Sequence, residues 1–359
     1  MSAPPTRPAR PAAATRGAVL RTGAGLGALL LLPLGAACGA AAPAPPGAPS
    51  GDGAAAPATL AVGTGAPVVD YWPAFIAQET GIFSRHALTV EITPFETPSL
   101  AIQALATGAV DAAMVATDLA INAQERGVPL TSVAGVYSKA TYSLVTARTI
   151  ADYGALRGKT LAVSDLKDAT TLLLRKMLSG HGLKDGDYDV VPLGGSGRRA
   201  AAIAGGQAAG ALLGVPVNFA LEGEGYPSLG YASDALPEYL FDAVHVQRDW
   251  ARANSATLVR FLQGLLEATA WLYEPAHREA AIAILAARFK TTPEIGNLTY
   301  DLTVTRLQAF PREGEISPVA FTAVLDTMAE MGLIGSPAPG AAKYVDLSYL
   351  ELARKGAPR

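Results

Sequence analysis

Between residue 59 and about residue 235, short apolar runs alternate with stretches of helical spacing. Leu60-Ala61-Val62 reads as a strand that runs into the loop of "GTGAPVVDYWPAFIAQETGIF" (63–83). Pro73 suits a first helical turn, where its missing N–H leaves nothing unpaired, so a helix is predicted over 73–84. "TVEITPF" (89–95) follows as a strand, and "ALATGAVDAAMVA" (104–116) as a small-residue helix, a glycine turn and another strand. Strand and helix in alternation predict an α/β protein. From about 249 to 334 the period changes. Trp250, Leu258, Phe261, Leu262, Leu265, Leu266, Trp271 and Leu272 recur at helical spacing. "AAIAILAARF" (280–289) predicts a second helix, and Pro293 is placed to start a third.

The first part of the pattern nearly repeats itself. "LAVGT" (60–64) is echoed by "LAVSD" (161–165), with a predicted helix after each, 73–84 and 169–180. Each helix runs into a His-x-Leu turn, His86-Ala87-Leu88 and His181-Gly182-Leu183. The strand "YDVVPL" (188–193) answers "TVEITPF", and "AAIAGGQAAGALLG" (201–214) answers 104–116. The spacing between partners varies by a few residues, which is an echo with small indels and not a solenoid array. Two similar βαβ lobes predict a bilobal molecule. The helical part can pack back on the first lobe, which is then discontinuous in sequence: residues 59–145 and 240–359 form one lobe, 146–239 the other.

Composition separates the N-terminus from this body. Arg7, Arg10, Arg16 and Arg21 precede a short apolar stretch rich in glycine and alanine that ends at Cys38, the only cysteine among 359 residues. A positive region, a short apolar run and small residues read as a secretory signal over 1–37. Cys38 resembles the cysteine of a bacterial lipobox, which is lipidated and becomes the mature N-terminus; the alternative is ordinary cleavage with Cys38 incidental. Residues 38–58 are Ala/Pro/Gly-rich, a flexible tether. The expected location is the periplasm or cell surface, held to a membrane by a lipid. Net charge is −3, with no basic run after the N-terminus, so nucleic acid is not an expected partner.

In open parallel sheets, ligands sit beyond the carboxyl ends of the strands, where helix N-termini offer free N–H groups. In the first lobe that rule selects Gly65, Tyr71 and Trp72 after "LAVGT", and Thr117 and Asp118 after "DAAMVA". In the second it selects Lys167, Asp168, Thr170 and Thr171 after "LAVSD", and Pro216 and Asn218 after "ALLG". Tyr137, Ser138 and Lys139 lie where the first lobe would cross to the second. Simpler roles compete: Thr117, Asp118, Asp168 and Thr170 as helix caps, Tyr71 and Trp72 as core, Tyr137 as a hinge residue. Trp72 is the better candidate for packing and Tyr71 for facing a ligand.

Catalytic motifs are scarce. Without a Cys/His cluster a zinc-type site lacks ligands, and no metal or cofactor is expected. His86 and His181 occupy the same turn of the echo, as helix-terminal packing residues. "GGSGRR" (194–199) lacks the Lys-Ser/Thr of a P-loop; Arg198 or Arg199 could meet an anion, but a solvated helix start is the simpler reading.

"YWPAFIAQETGIFSRHALTVEI", "LATGAVDAAM", "AINAQERGVPL", "LRGKTLAVSDLKDATTLLLRKML" and "GVPVNFALEGEGY", in this order, resemble the superfamily of substrate-binding proteins of ABC importers for nitrate, sulfonates, taurine and thiamine-pyrimidine precursors. The resemblance covers about 59–335. It departs at Ala209-Gly210, where the second lobe of the family usually repeats a Val-Asp. It implies a type II periplasmic-binding-protein fold, two α/β lobes with two crossings and the ligand clamped at the hinge. It places ligand groups at Tyr71, Trp72, Thr117, Asp118, Tyr137 and Thr170. It also implies a monomer without enzymatic activity that hands a small organic solute (sulfonate-, taurine- or pyrimidine-precursor-like) to an ABC permease by hinge closure. The alternatives are an enzyme on the same fold, a pyrimidine-precursor synthase or a dehydratase, and a sensor that uses the same cleft. Lys139 and Lys167 would suit a sulfonate or carboxylate.

Overall fold

The structure, a computed structural model, describes residues 56–65 and 67–356. Cys38, the signal segment and nearly all of the tether lie outside the described residues. The chain enters on β1 (Ala58–Thr64) and reaches α1 (Trp72–Glu79) through a single 3-10 turn. The predicted helix 73–84 is in fact two: Gly81 at φ +71° ends one turn and starts α2 (Ile82–Arg85), a left-handed conformation that glycine adopts without strain. Then come β2 (Leu88–Pro94), α3 (Pro98–Ala106), β3 (Ala112–Ala116), α4 (Thr117–Glu125) and β4 (Leu130–Tyr137). β3 and β4 are buried along their whole length, which is why they read as unbroken runs of small and apolar residues and not as alternation.

The chain crosses through 138–142 into β5 (Ser143–Thr146) and β6 (Thr160–Val163). It continues with α5 (Ala169–Gly180), β7 (Asp189–Pro192), α6 (Ser196–Ala204), β8 (Gly210–Leu213), α7 (Val217–Gly223), β9 (Ser228–Tyr231) and α8 (Ala232–Ala235). It returns through 236–241 to β10 (Asp242–Gln247). The rest is helical: α9 (Arg248–Ala253), α10 (Ser255–Tyr273), α11 (Arg278–Phe289), α12 (Pro293–Tyr300) running into a π-helical turn, α13 (Pro318–Glu330) and α14 (Ser348–Gly356).

Two five-stranded sheets result, in the orders β2-β1-β3-β10-β4 and β7-β6-β8-β5-β9. The echo is visible in these orders. β1 and β6 each lie between the two parallel neighbours that follow them, and the fourth strand of each sheet arrives by a crossing from the other lobe and runs antiparallel. One boundary needs correction: Ser143-Leu144-Val145, assigned from sequence to the first lobe, pair with β8 in the second sheet. α10 packs on α1, α2 and β2, with Phe83 stacked on Phe261 at 5.6 Å, and α14 packs on α10 and β4.

Candidate functional site

Of the residues singled out by the open-sheet rule, Gly65, Tyr71, Asp168 and Thr170 meet between the two sheets. A cavity of about 30 Å³ lies there, room for about two water molecules. From the first lobe it is walled by Gly65, Val68 and Tyr71 after β1, by Pro98 at the start of α3 and by Ala116 at the end of β3. From the second come Ser164, Asp168 and Thr170 after β6, and Gly195, Ser196 and Arg199 at the start of α6. The two crossings close it with Tyr142, Phe241 and Asp242. Tyr142 and Phe241 stack at 4.7 Å, one ring from each crossing.

The walls carry buried charge. Asp70, Asp118, Asp168, Asp242 and Arg199 are all at most 2% exposed, and these are the buried carboxylates and the buried guanidinium among the described residues. Asp168 caps α5, accepting from the Thr171 amide at 3.2 Å and from the Thr170 hydroxyl at 2.8 Å, and Ser164 Oγ donates to its other oxygen. Burial still pushes it up to about 6, against the lowering effect of those hydrogen bonds and of Arg199. Asp70 accepts from Tyr142 Oη at 3.3 Å and pairs with Asp242 through their side chains. Burial raises both, Asp70 to about 6 against the lowering effect of its bonds to Asp242 and Tyr142, and Asp242 well above the usual carboxylate range, where the charge of Asp70 raises it further. Asp118, in the first turn of α4, is likewise raised by burial and by the charge of Asp168. Asp70 Oδ1, Asp242 Oδ2 and both Asp118 oxygens have no hydrogen-bond partner of good geometry.

Opposite stands Arg199. Its Nη1 donates to the Gly194 carbonyl and its Nη2 to Ser196 Oγ, both at 3.0 Å, while Nε has no partner. The sequence reading of "GGSGRR" as a solvated helix start holds for Arg198, which is exposed and pairs with Glu96 across the lobes. It does not hold for Arg199, which is turned inward.

A family model described as NMT1/THI5 like matches residues 69–278, more than half of the chain. The chain belongs to that family. No curated protein sequence matches it. Solved structures similar to this NMT1/THI5-like protein include the ligand-binding component of an ABC-type import system from Staphylococcus aureus (TM-score 0.70, 14% identity, 82% of this chain and 98% of that one). The alkanesulfonate-binding protein SsuA from Xanthomonas axonopodis pv. citri, bound to MOPS, is similar at TM-score 0.67, with 19% identity over 81% and 99% of the two chains. The periplasmic nitrate-binding protein NrtA from Synechocystis PCC 6803 follows at TM-score 0.69, with 15% identity over 83% and 88%. The fold is that of periplasmic binding proteins, two α/β lobes with a cleft at the hinge.

The candidate residues divide around the cavity. Tyr71, Asp168 and Thr170 stand on its wall. Thr117 and Asp118 are fully buried just behind Ala116; neither side chain caps α4, whose N-cap Ala116 has no side-chain bond. Trp72 is not on the wall. It lies in the core of the first lobe, edge-on to Tyr300 at 6.0 Å and Phe310 at 6.4 Å, and Tyr137 joins that cluster at 5.0 Å from Phe310. Tyr137 is occupied by Thr141, and Ser138 is tied to the Ala309 carbonyl through both its amide and its hydroxyl. Thr171 Oγ1 donates to the Asp165 carbonyl at 2.5 Å. Pro216 and Asn218 begin α7, beside the cavity and not on its wall; the Asn218 amide reaches Glu222. Neither lysine reaches the cavity. Lys139 joins the two crossings through Pro237 and Glu238, and Lys167 borders a larger cleft of about 830 Å³ outside. The sequence reading passed over Asp70, Tyr142, Ser164, Ser196, Phe241 and Asp242. One signal for Asp70 was present: it precedes α1 as Asp168 precedes α5, so the echo pairs them.

The lobes are in contact around the cavity. Ser99 Oγ donates to Asp165 at 2.5 Å, Lys176 meets Glu330 at 2.5 Å, and the Val69 amide donates to the Val215 carbonyl at 3.3 Å. Of these, the exposed Lys176–Glu330 pair contributes about 0–1 kcal/mol.

Proposed function

We propose that this NMT1/THI5-like chain is the extracytoplasmic solute-binding protein of an ABC importer, and that it has no catalytic step of its own. The observation that carries the reading is the placement of the cavity: its wall is shared by both lobes and both crossings, so a bound solute touches groups that meet only when the lobes close. Such a solute stabilises the closed state through its differential contacts. The cavity holds about 30 Å³ with the lobes together, so a small organic molecule enters by hinge opening. The named activities of the similar structures, binding of alkanesulfonate and of nitrate and membership of an import system, support a small organic or inorganic solute and a permease as partner. The test is native mass spectrometry of the purified protein with thermal melting against panels of sulfonates, amino acids and pyrimidines. A bound small molecule that raises the melting temperature is the expected result; a protein that none of them stabilises contradicts it.

The anchor is a separate proposal. Cys38 is the only thiol in the chain, and it follows a secretory pattern, so we assign it the lipid. Cys38→Ser is expected to yield exported protein that fractionates as soluble, whereas wild type sediments with membranes. Equal solubility of the two would rule the lipid out.

A further inference from the structure

The charges around the cavity are unbalanced. Asp70, Asp168 and Asp242 stand at it or one hydrogen bond from it, with Asp118 behind, and Arg199 alone opposes them. Of the five N–H bonds of that arginine, one on Nη1 and one on Nη2 are taken by Gly194 and Ser196. An anionic solute could use the remaining N–H bonds of Arg199, Nε among them, but would meet the repulsion of Asp70 and Asp168 above about pH 6. An uncharged solute would leave the Asp70–Asp242 pair holding its proton. A cationic nitrogen with N–H bonds gives partners to Asp70 Oδ1 and Asp242 Oδ2 and replaces the shared proton. Aromatic rings of Tyr71, Tyr142 and Phe241 on the same wall add attraction to a cation held over their faces. Among the described residues no group of three His, Cys, Asp or Glu is placed to hold a metal ion, which favours an organic cation over a divalent one.

We infer that the solute carries a positively charged nitrogen, an ammonium or a protonated heterocycle, seated on the Asp70–Asp242 pair and facing Asp168 across the cleft. The inference rests on the solute-binding reading above and narrows it. A solute that is also anionic at its far end can use Arg199 Nε; the shared chemistry is the cationic centre.

The groups that face the cation come from every wall: Asp70 before α1, Asp118 on α4, Asp168 on α5, Asp242 on β10, Arg199 on α6, and the hydroxyls of Tyr71, Tyr142 and Tyr239. The tyrosines are raised by burial above their ordinary range and stay neutral. Arg199 is lowered by burial, and a guanidinium keeps its proton in a folded protein. The groups that change state near neutral pH are therefore the carboxyls. A cation binds the ionised carboxylates, so its affinity rises with pH through about 6, where Asp70 and Asp168 lose their protons.

The experiment uses three fractions of a bacterial small-molecule extract, retained on a cation exchanger, retained on an anion exchanger, or unretained, with benzylamine, methanesulfonate and benzyl alcohol as defined probes. Melting of the purified protein is followed at pH 5 and pH 7.5. The cation-retained fraction is expected to raise the melting temperature, more strongly at pH 7.5, and the affinity of its active component to increase about tenfold or more between the two. Asp242→Asn keeps the shape and removes the charge. It is expected to lose that stabilisation while melting, when empty, no lower than wild type. If only the anion-retained or unretained fraction stabilises the protein, this inference is overturned and the solute-binding reading stands. If no fraction does, both fall.

Discussion

Asp168 serves two purposes that pull against each other: its carboxylate caps α5, and its burial at the cavity disfavours the charge that makes it useful to a ligand. With a folded value of about 6 against an ordinary 3.8, the folded protein holds a proton between those limits that the unfolded chain has released. The stability contributed by Asp168 is therefore full below pH 4, falls as pH rises to about 6, and stays low above it. Asn caps a helix about as well as Asp and carries no charge. Asp168→Asn is expected to stabilise the empty protein at pH 7.5 by roughly 1–3 kcal/mol, since each tenfold change in proton affinity between the folded and unfolded chain corresponds to about 1.4 kcal/mol, and to lessen the fall of its stability between pH 4 and 6, to which Asp70 still contributes. Urea unfolding at both pH values checks this; a variant less stable than wild type at pH 7.5 would show that the cap outweighs the burial. At this scale the sequence was partly legible. Tyr71 and Asp168 follow from where strands end, but Asp242 and Phe241 sit at the end of a return crossing whose destination no local pattern encodes. Arg198 and Arg199 are adjacent in sequence and differ only in which side of a helix they occupy.

The elements themselves were easier to read, for a physical reason. "LAVGT" and "LAVSD" are central strands covered by helices on both faces, so burial demands the same apolar run in each and a polar break where the strand leaves the sheet. The helix 73–84 was misread as continuous because its apolar period survives the break; only the left-handed geometry at Gly81 interrupts it. How the C-terminal helices close on the first sheet depends on contacts remote in sequence. At Gly135 in β4, an added Cβ would lie 2.5 Å from the backbone carbonyl of Glu315, and the Gly135 amide bonds the Gly314 carbonyl at 2.8 Å. Since the neighbour is backbone, it cannot rotate away. Gly135→Ala is expected to cost roughly 1–3 kcal/mol, in the range of other overpacked sites, read as a lower denaturant midpoint. An unchanged midpoint would mean that 311–316 does not pack on β4 as described.

On the scale of the whole molecule, two sheets of the same strand order exchange one antiparallel strand each through the two crossings, and both crossings pass the cavity. Lys139 ties one crossing to the other through Pro237 and Glu238. Binding at such a hinge leaves its mark on both lobes at once. The most direct measurement is hydrogen–deuterium exchange of the protein with and without the solute that stabilises it most. Slowed exchange is expected together in 67–72 of the first lobe, in 164–171 and 195–199 of the second, and in the crossings 138–142 and 236–241. Protection confined to one lobe, or to a surface away from the crossings, would contradict that expectation.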